Sequence, residues 1–258
     1  MNLLYHYTTI DTFAEKILPS LQLLMNKTEF INDPVESRFL IKLDDETYKK
    51  TLGLTSRLKL IKEGKKYNIT CFSTDKEYNN TIIPGWGLPK MWAHYGNNHR
   101  GVCLIINKAK FLKQNEKKLK FEGLVRYKLK FKVPILDARR LRDGEKNNYF
   151  KEIIDTYFNE FFFQKHYDWR SEAEFRIVSF ETEFCSISES IEGIIYGLKT
   201  PLYNEIGLSH IIENKKYING TKDLLFPVIK FYKIVLSGSK FQLRLYKDGN
   251  FGPSVNSI

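Results

Sequence analysis

The residues best suited to chemistry lie in the stretch Trp169-Arg170-Ser171-Glu172-Ala173-Glu174-Phe175-Arg176-Ile177-Val178. Its second half alternates with period 2, which predicts a β-strand. On such a strand Glu172, Glu174 and Arg176 share one face, and Ala173, Phe175 and Ile177 share the other. Side chains two apart on a strand stand roughly 7 Å from each other, so Arg176 can steady either carboxylate. The apolar face gives this strand a reason to dock on a core. The charged face either meets water or lines a cleft, where paired carboxylates can hold a proton or a developing positive charge.

The rest of the chain must position that strand. With 258 residues and 30.4 kDa it is long enough to bury a full core. Its 42% hydrophobic and 14% aromatic content is ordinary for a globular protein. No repeat or Pro/Gly/Ser-rich linker divides it, which predicts one domain over residues 1–258. The N-terminus lacks a basic region followed by an apolar stretch, and no apolar run approaches spanning length. A cytoplasmic protein without membrane contact is therefore expected. Cys71, Cys103 and Cys185 have no metal-like spacing, so neither a metal nor a disulfide framework is expected. Cys71 and Cys103 sit in apolar runs and are read as packed thiols.

The net charge of +11 is unevenly placed. From Lys108 to Lys132, ten Lys/Arg stand against Glu116 and Glu122, a net of +8 in 25 residues. Part of this segment, Arg126 to Val133, reads as a strand, with Lys128, Lys130 and Lys132 on one face and Tyr127, Leu129, Phe131 and Val133 on the other. It is either a solvated edge strand guarded by lysines or an electrostatic footprint for phosphates. No zinc-finger, recognition-helix or RNP signature accompanies it.

Hydrophobic periodicity predicts strands over residues 3–8, 21–25, 67–73, 102–106, 191–196, 228–235 and a last one at 241–246. Helices are expected over 11–18 (ended by Pro19), 34–41 (capped by Asp33), 89–95, 147–165 and 202–214, with a loop over 76–89 and a hairpin through Gly123. This mixture lacks βαβ alternation and gives an α+β class. No phosphate-cradling Gly-rich loop, Rossmann fingerprint or zinc motif is present, which argues against a nucleotide triphosphatase, a dehydrogenase and a metallohydrolase.

Five pieces occur in order: Leu4-Tyr5-His6-Tyr7-Thr8, Asn32-Asp33-Pro34, Cys71-Phe72-Ser73, Met91-Trp92-Ala93-His94-Tyr95 and the stretch from Trp169 to Arg176. Together, over roughly residues 3–245, they resemble a bacterial domain family related to the ADP-ribosyltransferase superfamily, which includes poly-ADP-ribose polymerases and DarT-type toxins. The resemblance implies a split β-sandwich with flanking helices, NAD as substrate, and a role as a toxin or phage-defence effector with an antitoxin or defence-system partner. Such enzymes break the bond between ribose and nicotinamide through an oxocarbenium-like state, which a carboxylate stabilises. Glu174 is the carboxylate this resemblance selects, with Glu172 in reserve and Arg176 orienting a carboxylate or meeting a phosphate. His6 would hydrogen-bond an NAD ribose hydroxyl beside Thr8, and Tyr7 would offer backbone groups to the nicotinamide amide. Tyr95 would stack on nicotinamide, with Trp92 as the alternative; Ser73 would reach the carboxamide, and Asn32 and Asp33 would shape the cleft mouth, Asp33 alternatively serving only as a helix cap. Tyr7 departs from polymerase-type members, which carry Gly there, and so admits a different nucleotide ligand or an inactive fold.

Three functions follow as expectations: ADP-ribosyl transfer to DNA, RNA or another macromolecule, or to water as NAD hydrolysis; non-catalytic nucleic-acid binding on the same fold; and a metal-independent nuclease using His6 or His94. For the binding module, charge reversal at Lys128, Lys130 and Lys132 is expected to weaken binding to DNA or RNA and flatten its salt dependence. Binding isotherms at several salt concentrations test this, and salt-independent binding would end that reading.

Overall fold

The computed structural model describes residues 2–31, 33, 39–44, 53–138, 149–215, 217–218, 221–222, 229–247 and 250–255. Ten strands join in one sheet: β1 (Leu3–Thr8), β2 (Asn26–Lys27), β3 (Tyr67–Ser73), β4 (Val102–Asn107), β5 (Leu119–Leu124), β6 (Glu174–Phe180), β7 (Ile191–Tyr196), β8 (Lys230–Ser237), β9 (Lys240–Lys247) and β10 (Asn250–Val255). Their order is β10-β9-β8-β7-β4-β1-β3-β6-β5, with β2 laid beside β3. Only β7 and β8 pair in parallel within this sheet. Helices pack around it, and the class is α+β.

Alternation along β1 explains its place near the middle. Leu4 joins a buried cluster with Phe13, Phe72 and Leu104, while Tyr5 and Tyr7 point to the other face and pack with Trp86, Trp92 and Cys103. A third cluster forms around Tyr67, Phe161, Phe162, Phe163 and Val178, under the helices of residues 149–162. Each such side chain contributes roughly 1.5–3 kcal/mol on burial, so both faces of the central strands are held by packing.

Several predicted elements differ. Helical structure runs from Ile10 to Ser20, with a π turn over Phe13–Ile17, and Pro19 lies inside its last turn rather than ending it. The wide turn shifts the hydrogen-bond register ahead of the proline. The expected helix over 147–165 is two helices, Tyr149–Thr156 and Phe158–Phe162, followed by a short strand, Gln164–His166. Tyr157, at φ −109° and ψ 28°, breaks the helical run. The loop over 76–89 contains a hairpin, Lys76–Tyr78 with Thr81–Ile83, turned by left-handed Asn79 and Asn80. The sheet continues past Tyr246 into β10.

The hairpin through Gly123 does not form. Gly123 sits within β5 opposite Arg176, and the basic strand stops at Lys128. Arg126–Lys128 instead pairs in parallel with Gln164–His166, because Val125 and Arg126 donate their N–H groups to Glu174 and Phe163 carbonyls. The predicted helix after Asp33 lies largely outside the described residues.

A tight loop backs β1. The Tyr7 hydroxyl donates to the Gly85 carbonyl at 2.6 Å. A Cβ at Gly85 would lie 2.5 Å from the Tyr5 ring and 2.7 Å from the Thr74 carbonyl carbon. Gly85→Ala is therefore expected to lower unfolding stability by about 1–3 kcal/mol. Urea titration checks this, and an unchanged midpoint would mean that the loop can move off β1 without cost.

Candidate active site

The sheet opens at its centre. β1 pairs with β4 along six residues but meets β3 at one register pair among the described residues, Tyr5 with Ser73. Further along the same edge of β3, β2 takes over at Asn68 and Ile69. Between these attachments the edge at Thr70, Cys71 and Phe72 faces a recess of about 300 Å³. Its floor is Tyr5, His6 and Tyr7 of β1 with residues 69–73 of β3. Met91 and Tyr95 close one side, and Leu24, Phe30 and Ile31 form an apolar rim beside Asn26. Lys165, Glu172 and Glu174 make a charged wall. A mostly apolar concavity with a few convergent polar groups is the usual form of a small-molecule site.

His6 projects across the gap, with Nδ1 3.3 Å from the Cys71 carbonyl oxygen. Burial lowers its pKa, partly opposed by that backbone contact, so the ring is neutral at pH 7. A carbonyl only accepts; Nδ1 therefore carries the proton and Nε2 is left as an acceptor. Ser73 Oγ is buried in the recess lining without a hydrogen-bond partner. Cys71 is not packed as expected but exposed on the recess. Desolvation by the surrounding recess walls and then the Glu174 charge raise its pKa, keeping it a thiol.

The charged wall depends on a kink. The strand starts at Glu174, not Glu172; Glu172 ends a 3₁₀ turn, Tyr167–Glu172, and Ala173 is left-handed at φ 46°. The Ala173 carbonyl is clamped by the Thr74 N–H at 2.9 Å and the Thr74 hydroxyl at 3.1 Å. A left-handed alanine costs roughly 1–2 kcal/mol, and such positions gather at functional sites. Past the kink, Glu172 returns to the same wall as Glu174. It accepts the Tyr95 hydroxyl on Oε1 at 2.8 Å and the Lys165 ammonium on Oε2 at 2.6 Å.

Glu174 is held more firmly. Arg176 grips it with Nε to Oε1 at 2.6 Å and Nη2 to Oε2 at 3.0 Å, and Lys165 reaches Oε2 at 3.2 Å. Burial alone would raise this carboxyl, but the charges of Arg176 and then Lys165 outweigh it and bring the pKa down to about 2. Its backbone N–H donates to the Tyr127 hydroxyl at 2.9 Å. The predicted charged face is thus wholly interior, with the Arg176 guanidinium completely buried.

The recess gathers six of the residues singled out from sequence: His6, Tyr7, Ser73, Tyr95, Glu172 and Glu174. Others lie elsewhere. Trp92 is fully buried, donates its indole N–H to the Trp86 carbonyl at 2.7 Å, and offers no stacking surface. Thr8 is buried and does not line the recess. Arg176 lies behind Glu174 and has no exposed atoms with which to meet a phosphate. Asn32 is outside the described residues. Lys128, Lys130 and Lys132 are exposed, and Lys132 also pairs with Glu160 at 3.0 Å.

Lys165 and Tyr127 escaped the sequence reading. Lys165 falls where a helix end was expected, though a lysine directly after the run Phe161-Phe162-Phe163-Gln164 is a sign of a buried partner. Among the described residues no three His, Cys, Asp or Glu side chains are grouped to hold a metal. No described helix is long and apolar enough to cross a membrane.

Residues 91–177 match a family described as protein of unknown function (DUF2971). That segment carries Tyr95, Tyr127, Lys165, Glu172, Glu174 and Arg176, while β1 and β3 lie outside it. No curated protein and no solved structure matches the chain.

The depressed Glu174 pKa has a definite sign. Between an ordinary value of 4.5 and about 2, the unfolded chain binds the proton that the folded chain refuses. Glu174 thus contributes stability that is complete above about 4.5 and is lost as the pH falls toward 2. Unfolding free energy measured from pH 5 to pH 2 is expected to drop, with a shallower slope in Glu174→Gln. An identical slope in both proteins would show that Glu174 is not the group responsible.

Proposed function

We propose that the recess holds the nicotinamide-ribose end of NAD and that the protein transfers ADP-ribose to a macromolecular acceptor. The observation that carries this reading is the convergence of His6, Tyr7, Ser73, Tyr95, Glu172 and Glu174, drawn from separate segments, on one recess. The opening of the sheet between β1 and β3 supports a split-sandwich arrangement, with the ligand where the strands part. The aromatic and apolar lining suits a nicotinamide ring, and the unpartnered Ser73 hydroxyl suits its carboxamide. His6 Nε2 is set to accept from a ribose hydroxyl.

In this chemistry the C1′–N bond breaks, and its electron pair leaves with the ring as neutral nicotinamide. The oxocarbenium-like ribose is stabilised by the nearby carboxylates. A lone pair of the acceptor then bonds C1′, and the acceptor's proton passes to solvent. When the acceptor is water, the outcome is NAD hydrolysis.

Nucleic acid is the acceptor we favour. Tyr127 turns inward to Glu174, while its neighbours Arg126 and Lys128, and then Lys130, are exposed. A basic ribbon therefore begins directly behind the charged wall, where it would hold phosphates beside the recess. A toxin or phage-defence role belongs to this proposal, as does a cognate inhibitor.

Mass spectrometry of NAD incubated with the protein, with and without DNA, RNA or cell lysate, is the test. Wild type is expected to yield nicotinamide with free or transferred ADP-ribose. Losing the carboxylate through Glu172→Gln or Glu174→Gln should slow this by about 100-fold or more. Glu174→Ala is less informative, because it leaves the buried Arg176 unpaired and threatens the fold. NAD left intact in every mixture, or converted by both variants as fast as by wild type, would overturn the reading.

A further inference from the structure

We propose that Glu172, rather than Glu174, is the carboxylate presented to the bound ribose, and that Lys165 is the positioning residue that gives the two glutamates different roles. This rests on the NAD reading above. It follows from how the hydrogen bonds of the wall are shared.

Glu174 is committed. Both of its oxygens are taken by Arg176, and Oε2 also receives Lys165. To turn toward a ligand it would abandon a guanidinium with no exposure to water, which buried ion pairs resist strongly. Glu172 is less encumbered. Each oxygen accepts one side-chain bond, from Tyr95 or from Lys165. An ionised carboxylate offers about four lone-pair sites, so Glu172 can take a ribose hydroxyl while keeping both partners. Tyr95 is itself half-buried at the recess, where its hydroxyl donates to Glu172.

Lys165 links the pair. Its ammonium lies 2.6 Å from Glu172 and 3.2 Å from Glu174, over the Trp169 ring at 4.8 Å. The short strand Gln164–His166, paired to Arg126–Lys128, fixes the backbone from which it reaches. Removing its charge would leave Glu172 in the interior with only the Tyr95 hydroxyl. Arg176 is already engaged by Glu174. Of the other groups lining the recess, Cys71 and His6 carry no positive charge at neutral pH, and the Lys90 ammonium is placed over the Trp169 ring at 5.1 Å. Glu172 would then lose the cation that fixes its carboxylate at the recess.

The test uses the full chain labelled with ¹³C at the glutamate side-chain carboxyl. Signals are assigned by their loss in Glu172→Gln and in Glu174→Gln. In Lys165→Met the Glu172 carboxyl signal is expected to move further from its wild-type position than that of Glu174, which keeps its two bonds from Arg176. Lys165→Arg should restore the wild-type signals. Lys165→Gln replaces the Met variant if that one fails to fold. In unaltered protein, saturating NAD should move the Glu172 signal and leave Glu174 still.

An unshifted Glu172 in the folded uncharged variants, or NAD moving Glu174 instead, would overturn the assignment. The spectra need no turnover, so they judge Lys165 even if NAD is never converted. Where conversion is seen, Glu172→Gln should lower kcat by about 100-fold with KM little changed, and Lys165→Met should lower kcat with KM little changed while Lys165→Arg keeps it. A merely structural lysine would leave both kcat and the Glu172 signal in place.

Discussion

A guanidinium with no contact to water has to be neutralised where it stands, and Arg176 imposes that requirement on everything around it. Glu174 answers it with two hydrogen bonds, and the Phe162 carbonyl accepts a third from Nη1 at 2.8 Å. The carbonyl is available because helical structure gives way at Phe163. The same break lets the following residues extend, and this brings Lys165 to the two glutamates. Across the sheet, Arg176 is in register with Gly123 on one side and Cys71 on the other. One buried cation thus ties together a helix end and the fixed orientation of a carboxylate.

The recess itself results from a second constraint. A strand in the middle of a sheet normally satisfies both backbone edges, yet β1 is joined to β3 at one residue pair. What holds the strands apart is packing on both sides. Tyr5 and Tyr7 are pinned against the Gly85 loop and Trp92, the latter in edge contact with Tyr7 at 5.0 Å between centroids. On the other face Leu4 and Phe72 are locked into the large apolar cluster. The polar groups left in the gap are partly satisfied by His6 and partly available, as Ser73 Oγ is. An apolar cavity ending in such groups is organised before any ligand arrives, which favours binding by lowering the ordering cost.

Strand content was legible where burial is strong and continuous. The run Tyr67 to Ser73 is a strand with the predicted bounds, and residues 102–106 and 191–196 fall within or match β4 and β7. Their apolar runs leave little alternative once both faces are covered. The short helix over residues 89–94 was equally plain, from Pro89 at its start. Short elements were not legible. The three-residue strands at 76–78 and 81–83, and the parallel pairing of 126–128 with 164–166, carry too few residues to show a period.

For the site, residue type and order determined the candidates, because carboxylates, a histidine and aromatics beside strand patterns are visible in one dimension. The alternation that places Tyr5 and Tyr7 opposite Leu4 is a property of the chain alone. Which candidates meet was decided by tertiary structure. The left-handed Ala173, clamped by Thr74 just past the end of β3, moved Glu172 off the expected strand and still returned it to the wall. Lys165 became part of that wall only because residues 126–128 pair with its segment, and Trp92 was lost to it because its indole N–H found a buried carbonyl. These outcomes depend on hydrogen bonds between residues far apart in the chain, and local periodicity contains no record of them.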